Sequence, residues 1–510
     1  MEKLNKYVYS LFIALALLAS CDDGFDEMNI NPIALNSVDP AFQLNTAIVN
    51  SAHGYGNLQY ETIIVKQMIN PFSGVGAAGQ YNQDNRAVAS GNWNRFYRNT
   101  IKELADVIEQ LKDDPDRSNL YNMARIWRAY SFMILTDTYG DIPYTNAGKA
   151  FLEGVVTPEY DAQQAIYNDI LTELATASAA LDATKPIPSR DIFYGGDVNK
   201  WRRFGNSLLL RAAMRLSKVD PGKAAEYVSK GVAGGLMESN DDNAVLFHTA
   251  NFQNNVGSQL NGGQSGFFYL AEDFVEYLQE NDDPRLASIA VRYVGAVSGV
   301  DHNPSNADRS PEVQIGMPLG YDNTTVSEAV AEDNLASLYD YSQLDRTRMG
   351  NPQAPTYFVT FAQTQLLLAE AVVRGWAQGD AGALFEEGAR AHMQQLADYG
   401  ESTAIEASEI ETYIQNNSLE SGNELEQINT QYWVASFLNG PEAWANFRRS
   451  GYPELTPNPF PGSDLQTEDF IRRLTYPDSE LNVNQGNVQQ AISRQGPDIL
   501  DTRVWWDVQM

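Results

Sequence analysis

The chain has 510 residues, with 66 Asp and Glu against 35 Lys and Arg, a formal net charge of −31 and a single cysteine. That acidic excess repels phosphate and anionic lipid headgroups, which argues against nucleic acid as a partner. One cysteine allows no disulfide bracing, so a large apolar core must stabilise the fold, and 43% hydrophobic residues with eight Trp supply it.

In chain order, Lys3 and Lys6 precede an apolar run from Leu11 that closes on Leu18-Ala19-Ser20-Cys21. The charged start, short hydrophobic centre and small residues before the cut mark residues 1–20 as a lipoprotein signal peptide, too short to span a bilayer. Cys21 stands at the cut and is expected to carry lipid as the mature N-terminus, the protein's one hold on the membrane. Residues 21–38, with Asp22, Asp23, Asp26 and Glu27, read as an acidic lead from anchor to body. No Pro-rich or Gly/Ser-rich linker divides the rest of the chain, so 39–510 is read as a single domain.

Helical periodicity predicts helices over 40–69, 92–112, 118–138, 162–181, 199–217, 221–233, 270–280, 356–377, 380–397, 406–417 and 424–439. In 162–181, Ile166, Ile170, Leu174, Ala177 and Leu181 recur at three- and four-residue steps and so share one face. Short joints such as Gly379-Asp380, with Asp380 placed as an N-cap, make neighbours pack antiparallel. Repeated pairs, 92–112 with 118–138 and 356–377 with 380–397, point to a mostly α, tetratricopeptide-like superhelix. The stretches 240–268, 292–355 and 450–510 are rich in Gly, Asn, Pro and aromatics and lack periodicity. They are read as long ordered loops packed on the helices, and segments 240–355 and 450–510 as the place of the ligand.

Ser73-Gly74-Val75-Gly76-Ala77-Ala78-Gly79 matches the G-x-G-x-x-G spacing, but Gln80 to Asn85 after it read as loop, so no dinucleotide site is expected. His53, His248, His302 and His392 form no ligand-spaced pair, and the acidic pairs Asp241-Asp242 and Asp282-Asp283 read as solvated turns rather than a calcium loop. Neither a metal nor any other cofactor is expected. Capture of sugar or peptide needs flat apolar faces edged by amides and carboxylates. One loop offers Phe72, Tyr81, Asn82 and Asn85; a second Phe252, Asn254, Asn255, Phe267 and Phe268; a third Tyr321, Asp322 and Asn323, then Tyr339 and Tyr341. The ligand-binding candidates are Phe72, Tyr81, Asn82, Phe252, Phe267, Phe268, Tyr321, Tyr339 and Tyr341. On residues alone a helical glycosidase with two facing carboxylates and an adaptor that binds only protein stay open.

Trp127-Arg128-Ala129-Tyr130-Ser131-Phe132 through Asp137-Thr138-Tyr139-Gly140-Asp141-Ile142-Pro143-Tyr144, and Leu368-Ala369-Glu370-Ala371 with Arg374-Gly375, resemble the SusD/RagB outer-membrane nutrient-binding lipoproteins. Gln431-Tyr432-Trp433, Gly440-Pro441-Glu442-Ala443-Trp444, Arg448 to Pro453 and Arg472 to Pro477 are similar to that family's closing motifs, and Asn31-Pro32 to its early Asn-Pro motif. The resemblance covers nearly the whole chain. It implies a right-handed tetratricopeptide superhelix and a non-enzymatic role. It also implies a glycan ligand, or a peptide in some members, delivered to a SusC-like TonB-dependent outer-membrane transporter. Asp22 and Asp23 resemble the family's surface-export signal, which implies exposure on the cell surface. The motif residues themselves have structural roles open to them: Pro143 and Pro453 in turns, Trp433 and Trp444 in the core, Arg448 and Arg449 on carbonyls or carboxylates.

Overall fold

The computed structural model describes residues 38–72, 78–188 and 190–509. The signal peptide, Cys21 and nearly all of the acidic lead lie outside them, as do Ser73 to Ala77 of the glycine-rich match.

The body is a stack of helical hairpins. Asp39 opens the helix Pro40–Asn50 by accepting from Ala41 N at 2.9 Å. This helix packs on Lys102–Leu111, the last part of a rod that begins at Gly91 and widens to a π turn over Tyr97–Ile101. Ser118–Tyr139 is buried on nearly every face, between that rod and Gln163–Ala180. Gln163–Ala180 in turn packs on Val198–Arg215, which pairs with Pro221–Gly234. A later hairpin, Phe361–Val373 with Ala381–Gln395, packs on Glu424–Ala435. Asp380 caps its second helix as expected, accepting from Ala383 N at 3.1 Å. The superhelix is thus the mostly α, tetratricopeptide-like scaffold that the periodicity predicts. One apolar core runs through it from Leu44 to Trp506. No helix among the described residues is long and apolar enough to cross a membrane.

Three predicted helices give up residues to strands. The run 40–69 divides into Pro40–Asn50, Tyr55–Gln59 and Glu61–Ile64, and its end, Met68–Ile69, is a strand antiparallel to Tyr269–Leu270. That pairing also takes the first residues of 270–280, leaving a helix over Glu272–Glu280. In 356–377 the β-branched and aromatic Thr356–Val359 pair with Ala244–Leu246, and the helix starts only after Thr360. There a capping box fixes the start: Gln363 N donates to Thr360 Oγ1 at 3.1 Å and Thr360 N to Gln363 Oε1 at 3.2 Å.

A helix that the periodicity did not predict, Gly440–Ser450, holds Gly440 to Trp444 and Arg448 to Ser450 of the closing motifs, with Pro441 in its first turn, where a missing N–H costs nothing. The segment 450–510 is less irregular than expected, since it contains the helices Asp478–Val483 and Gln485–Gln495 and buries Arg473, Tyr476 and Trp506. The acidic pairs are not wholly solvated turns, because only the first member of each, Asp241 and Asp282, is exposed. Asp283 is paired with Arg285, neither side chain exposed, and Asp242 is buried and bonded to Arg203 Nη2 at 2.8 Å, where the neighbouring guanidinium compensates each carboxylate for lost water.

Candidate functional site

The short sheet Met68–Ile69 with Tyr269–Leu270 brings two loops side by side, one running on to Phe72 and the other arriving from Phe267. The two rings meet with centroids 4.7 Å apart, tilted by 57°, and both are half-buried. A second ring pair, Tyr81 with Phe460, has centroids 4.4 Å apart. Residues 458–464 are pinned to this loop by Asn458 Nδ2 donating to Gln80 O at 2.5 Å, Gln83 Nε2 to Gly462 O at 3.1 Å and Asp464 N to Asn82 O at 3.0 Å. Tyr321 joins from a third direction: its carbonyl accepts from Gln80 Nε2 at 3.4 Å. Gly320 beside it has φ +97°, and a Cβ there would lie 2.6 Å from Pro459 Cγ, so only glycine lets this loop rest on the 458–464 segment.

Phe72, Phe267, Tyr321 and Phe460 therefore gather on one group of loops, each half-buried. Four of the sequence candidates lie beneath them rather than on the face. Tyr341 has no exposed surface and donates to Asp333 Oδ2 at 2.5 Å, and Phe268 packs edge-on against Tyr55 with centroids 5.7 Å apart. Tyr81 donates to Pro71 O at 2.8 Å and is covered by Phe460, and Asn82 is buried where its carbonyl takes the Asp464 amide. Packing against these loops has consumed the surfaces that a ligand would touch.

Tyr339 stays half-exposed between the 264–268 and 293–303 loops, its Cε1 3.5 Å from where a Cβ on Gly266 would stand. Its carbonyl is held at 2.9 Å by His302 Nε2, and His302 stacks on Tyr293. Phe252 is exposed but stacks on His248, at the end of the Ala244–Leu246 strand, and has no ring contact with the Phe72–Phe460 group among the described residues.

Gln80, Asn458 and Phe460 belong to this face and were not among the sequence candidates. The run Pro457-Asn458-Pro459-Phe460-Pro461-Gly462 carried the signal, a single aromatic held in a Pro-stiffened loop. At the back of the face the buried oxygens Gln80 Oε1 and Gln343 Oε1 accept no hydrogen bond. The electrostatics are acidic: burial, then the charges of Glu332, Glu328, Glu272 and Asp333, hold the Tyr321 hydroxyl above its ordinary range. Burial, then Glu276, Asp273 and Asp333, raise Glu272 to about 6. Flat rings edged by amides and carboxylates can stack on and hydrogen-bond a flat or polyhydroxylated ligand.

The family-motif residues lie elsewhere, in the core. Arg215 bridges Asp137 at 3.1 Å and Glu442 at 2.6 Å, Tyr432 donates to Glu442 Oε1 at 2.7 Å, and Trp506 Nε1 to Asp137 Oδ1 at 2.8 Å. Trp433 and Trp444 are buried, as expected for core residues.

Among curated proteins no sequence matches this chain. Solved structures do. A chitin-binding protein is similar with 30% identity and a TM-score of 0.82, over 92% of this chain and 100% of that one. A SusD-like protein of Bacteroidetes AC2a is similar with 27% identity and a TM-score of 0.79, over 92% and 100%. A chitin-binding SusD homologue from Flavobacterium johnsoniae is similar with 25% identity and a TM-score of 0.74, over 92% and 98%. Residues 32–477 match the SusD-like family model described as starch-binding, associating with outer membrane. With that match across most of its length, the chain belongs to the SusD-like family.

Proposed function

We propose that this protein is a cell-surface lipoprotein of the outer membrane that binds an oligosaccharide and passes it unchanged to a SusC-like TonB-dependent transporter. Lipid on Cys21 holds it there after removal of residues 1–20, and residues 39–510 act as one binding body. The observation that carries the reading is the gathering of Phe72, Phe267, Tyr321 and Phe460 on one group of loops, since half-exposed rings suit the flat apolar faces of sugars. Tyr339, half-exposed beside Gly266, lies next to the Phe267 loop. Membership of a family described as starch-binding, and two similar structures named as chitin-binding, favour a glycan over a peptide and set chitin-type chains as the first ligand to try.

The test is titration calorimetry of the mature protein with chitin oligosaccharides and with malto-oligosaccharides, followed by chromatography of the recovered sugar. The expected result is saturable binding of one series with the oligosaccharide intact. Cleaved product would establish a glycosidase, and no glycan binding combined with capture of the transporter would establish a protein-only adaptor.

A further inference from the structure

Two helices beside Tyr321 carry like charges in a spacing that does not favour their own stability. Glu272 and Glu276 lie four residues apart on Glu272–Glu280, and Glu328 and Glu332 four apart on Val326–Glu332. Like charges at that spacing repel on a helix surface. None of the four has a hydrogen-bond or ion-pair partner for its side chain among the described residues, whereas Asp273 is neutralised by Lys66 at 2.9 Å and Asp322 is occupied by the amides and hydroxyls of Thr324 and Thr325. Both rows act on the same place. The Tyr321 hydroxyl feels Glu332, Glu328 and Glu272 together, and the 315–321 segment is tied to the first helix by Glu272 N donating to Met317 O at 3.0 Å.

A half-exposed ring among unpaired carboxylates attracts cations from two directions, through the ring face and through the acids. The acids are spread along two helices and nowhere among the described residues converge as a group able to hold a metal ion, so they match spaced charges on a chain better than one inorganic cation. An independent observation points the same way: Gln80, with no exposed surface and its Nε2 fixed on the Tyr321 carbonyl, leaves Oε1 as an acceptor in want of a donor.

We propose that the Tyr321 end of the face selects glycans bearing free amino groups, partially or fully deacetylated chitin-type chains, over neutral N-acetylated ones, and rejects uronate or sulfated glycans. This rests on the reading of the face as a glycan site. Each ammonium donates three N–H bonds to carboxylate or amide oxygens while the sugar ring stacks on Tyr321, Phe460 and their neighbours.

The test is calorimetric titration of the full mature protein with a glucosamine hexasaccharide, its fully N-acetylated counterpart and an oligogalacturonate, at a pH where the amines are charged and at low and high salt. The amino form should bind at least about tenfold more tightly at low salt, with the preference shrinking at high salt and no binding of the uronate. The variant carrying Glu272→Gln, Glu276→Gln, Glu328→Gln and Glu332→Gln should lose the preference and keep its affinity for the N-acetylated chain, with the helical circular-dichroism signal of wild type. Equal affinity for the two hexasaccharides, or a preference that survives high salt, overturns this inference and leaves the glycan reading intact. Binding of a Lys-rich peptide with no binding of any glycan overturns both. The wild-type measurements decide the matter by themselves if the variant fails to fold.

Discussion

Arg449 and Glu370, 79 residues apart, meet in the core with neither side chain exposed: Nη1 donates to Oε1 at 2.7 Å and Nη2 to Oε2 at 2.6 Å. Arg374 Nε adds a third bond at 2.8 Å. The pair ties the Phe361–Val373 helix to Gly440–Ser450 and so closes the hairpin stack with a charge-assisted fork.

Breaking that pair by Arg449→Met should cost about 3 to 5 kcal/mol, read by urea unfolding, because a buried carboxylate loses its main compensation. Burial by itself would raise Glu370, but Arg449 and then Arg374 outweigh it and hold the group at about 2 against its ordinary 4.5. A carboxyl lowered in the folded state stabilises above its unfolded pKa. The contribution should therefore be full above about pH 4.5 and fade as pH falls toward 2, and the gap between wild type and Arg449→Met should narrow over that range. A gap independent of pH would show that the ion pair is not its source.

Trp444→Ala and Trp433→Ala should each lower stability by about 3 to 5 kcal/mol, since both rings fill core and both indole N–H groups bond buried carbonyls. Trp444 Nε1 donates to Ile471 O at 3.1 Å and Trp433 Nε1 to Val65 O at 2.8 Å. The Trp444 variant also removes the ring under the Arg448 guanidinium, 3.7 Å away. Urea-unfolding free energies equal to that of wild type would contradict this.

Neighbouring loop aromatics should behave in opposite ways. Phe268→Ala and Tyr341→Ala should lower the melting temperature, because both side chains are buried. Phe267→Ala and Tyr321→Ala should melt near wild type and weaken oligosaccharide binding, each by up to about tenfold, the value of one lost stacking face. Unchanged binding in both would move the ligand off this face.

Cys21→Ala should leave the membrane fraction and appear in the soluble one, detected by immunoblot after fractionation, because a lipid on that thiol is the proposed anchor. Retention at the wild-type level would rule the anchor out.

The sequence by itself determined the periodic parts of this molecule. Residues 118–138 and 162–181 were legible to within a residue or two of Ser118–Tyr139 and Gln163–Ala180, because apolar spacing sustained over many turns decides a long helix from its own residues. It also showed which loops carry aromatics. Tertiary structure decided the rest. Met68–Ile69 is a strand because Tyr269–Leu270 lies beside it, about 200 residues on, and an apolar run that short fits helix or strand until its partner is known. Phe267 and Phe268 are equivalent as letters, yet neighbouring residues entering a strand point to opposite sides, so one ring is left half-exposed and the other goes into the core. Glu370 and Arg449 were each legible within a motif; that they form one buried pair depends on how the helices close, since long-range contacts are set by packing and not by neighbours in sequence.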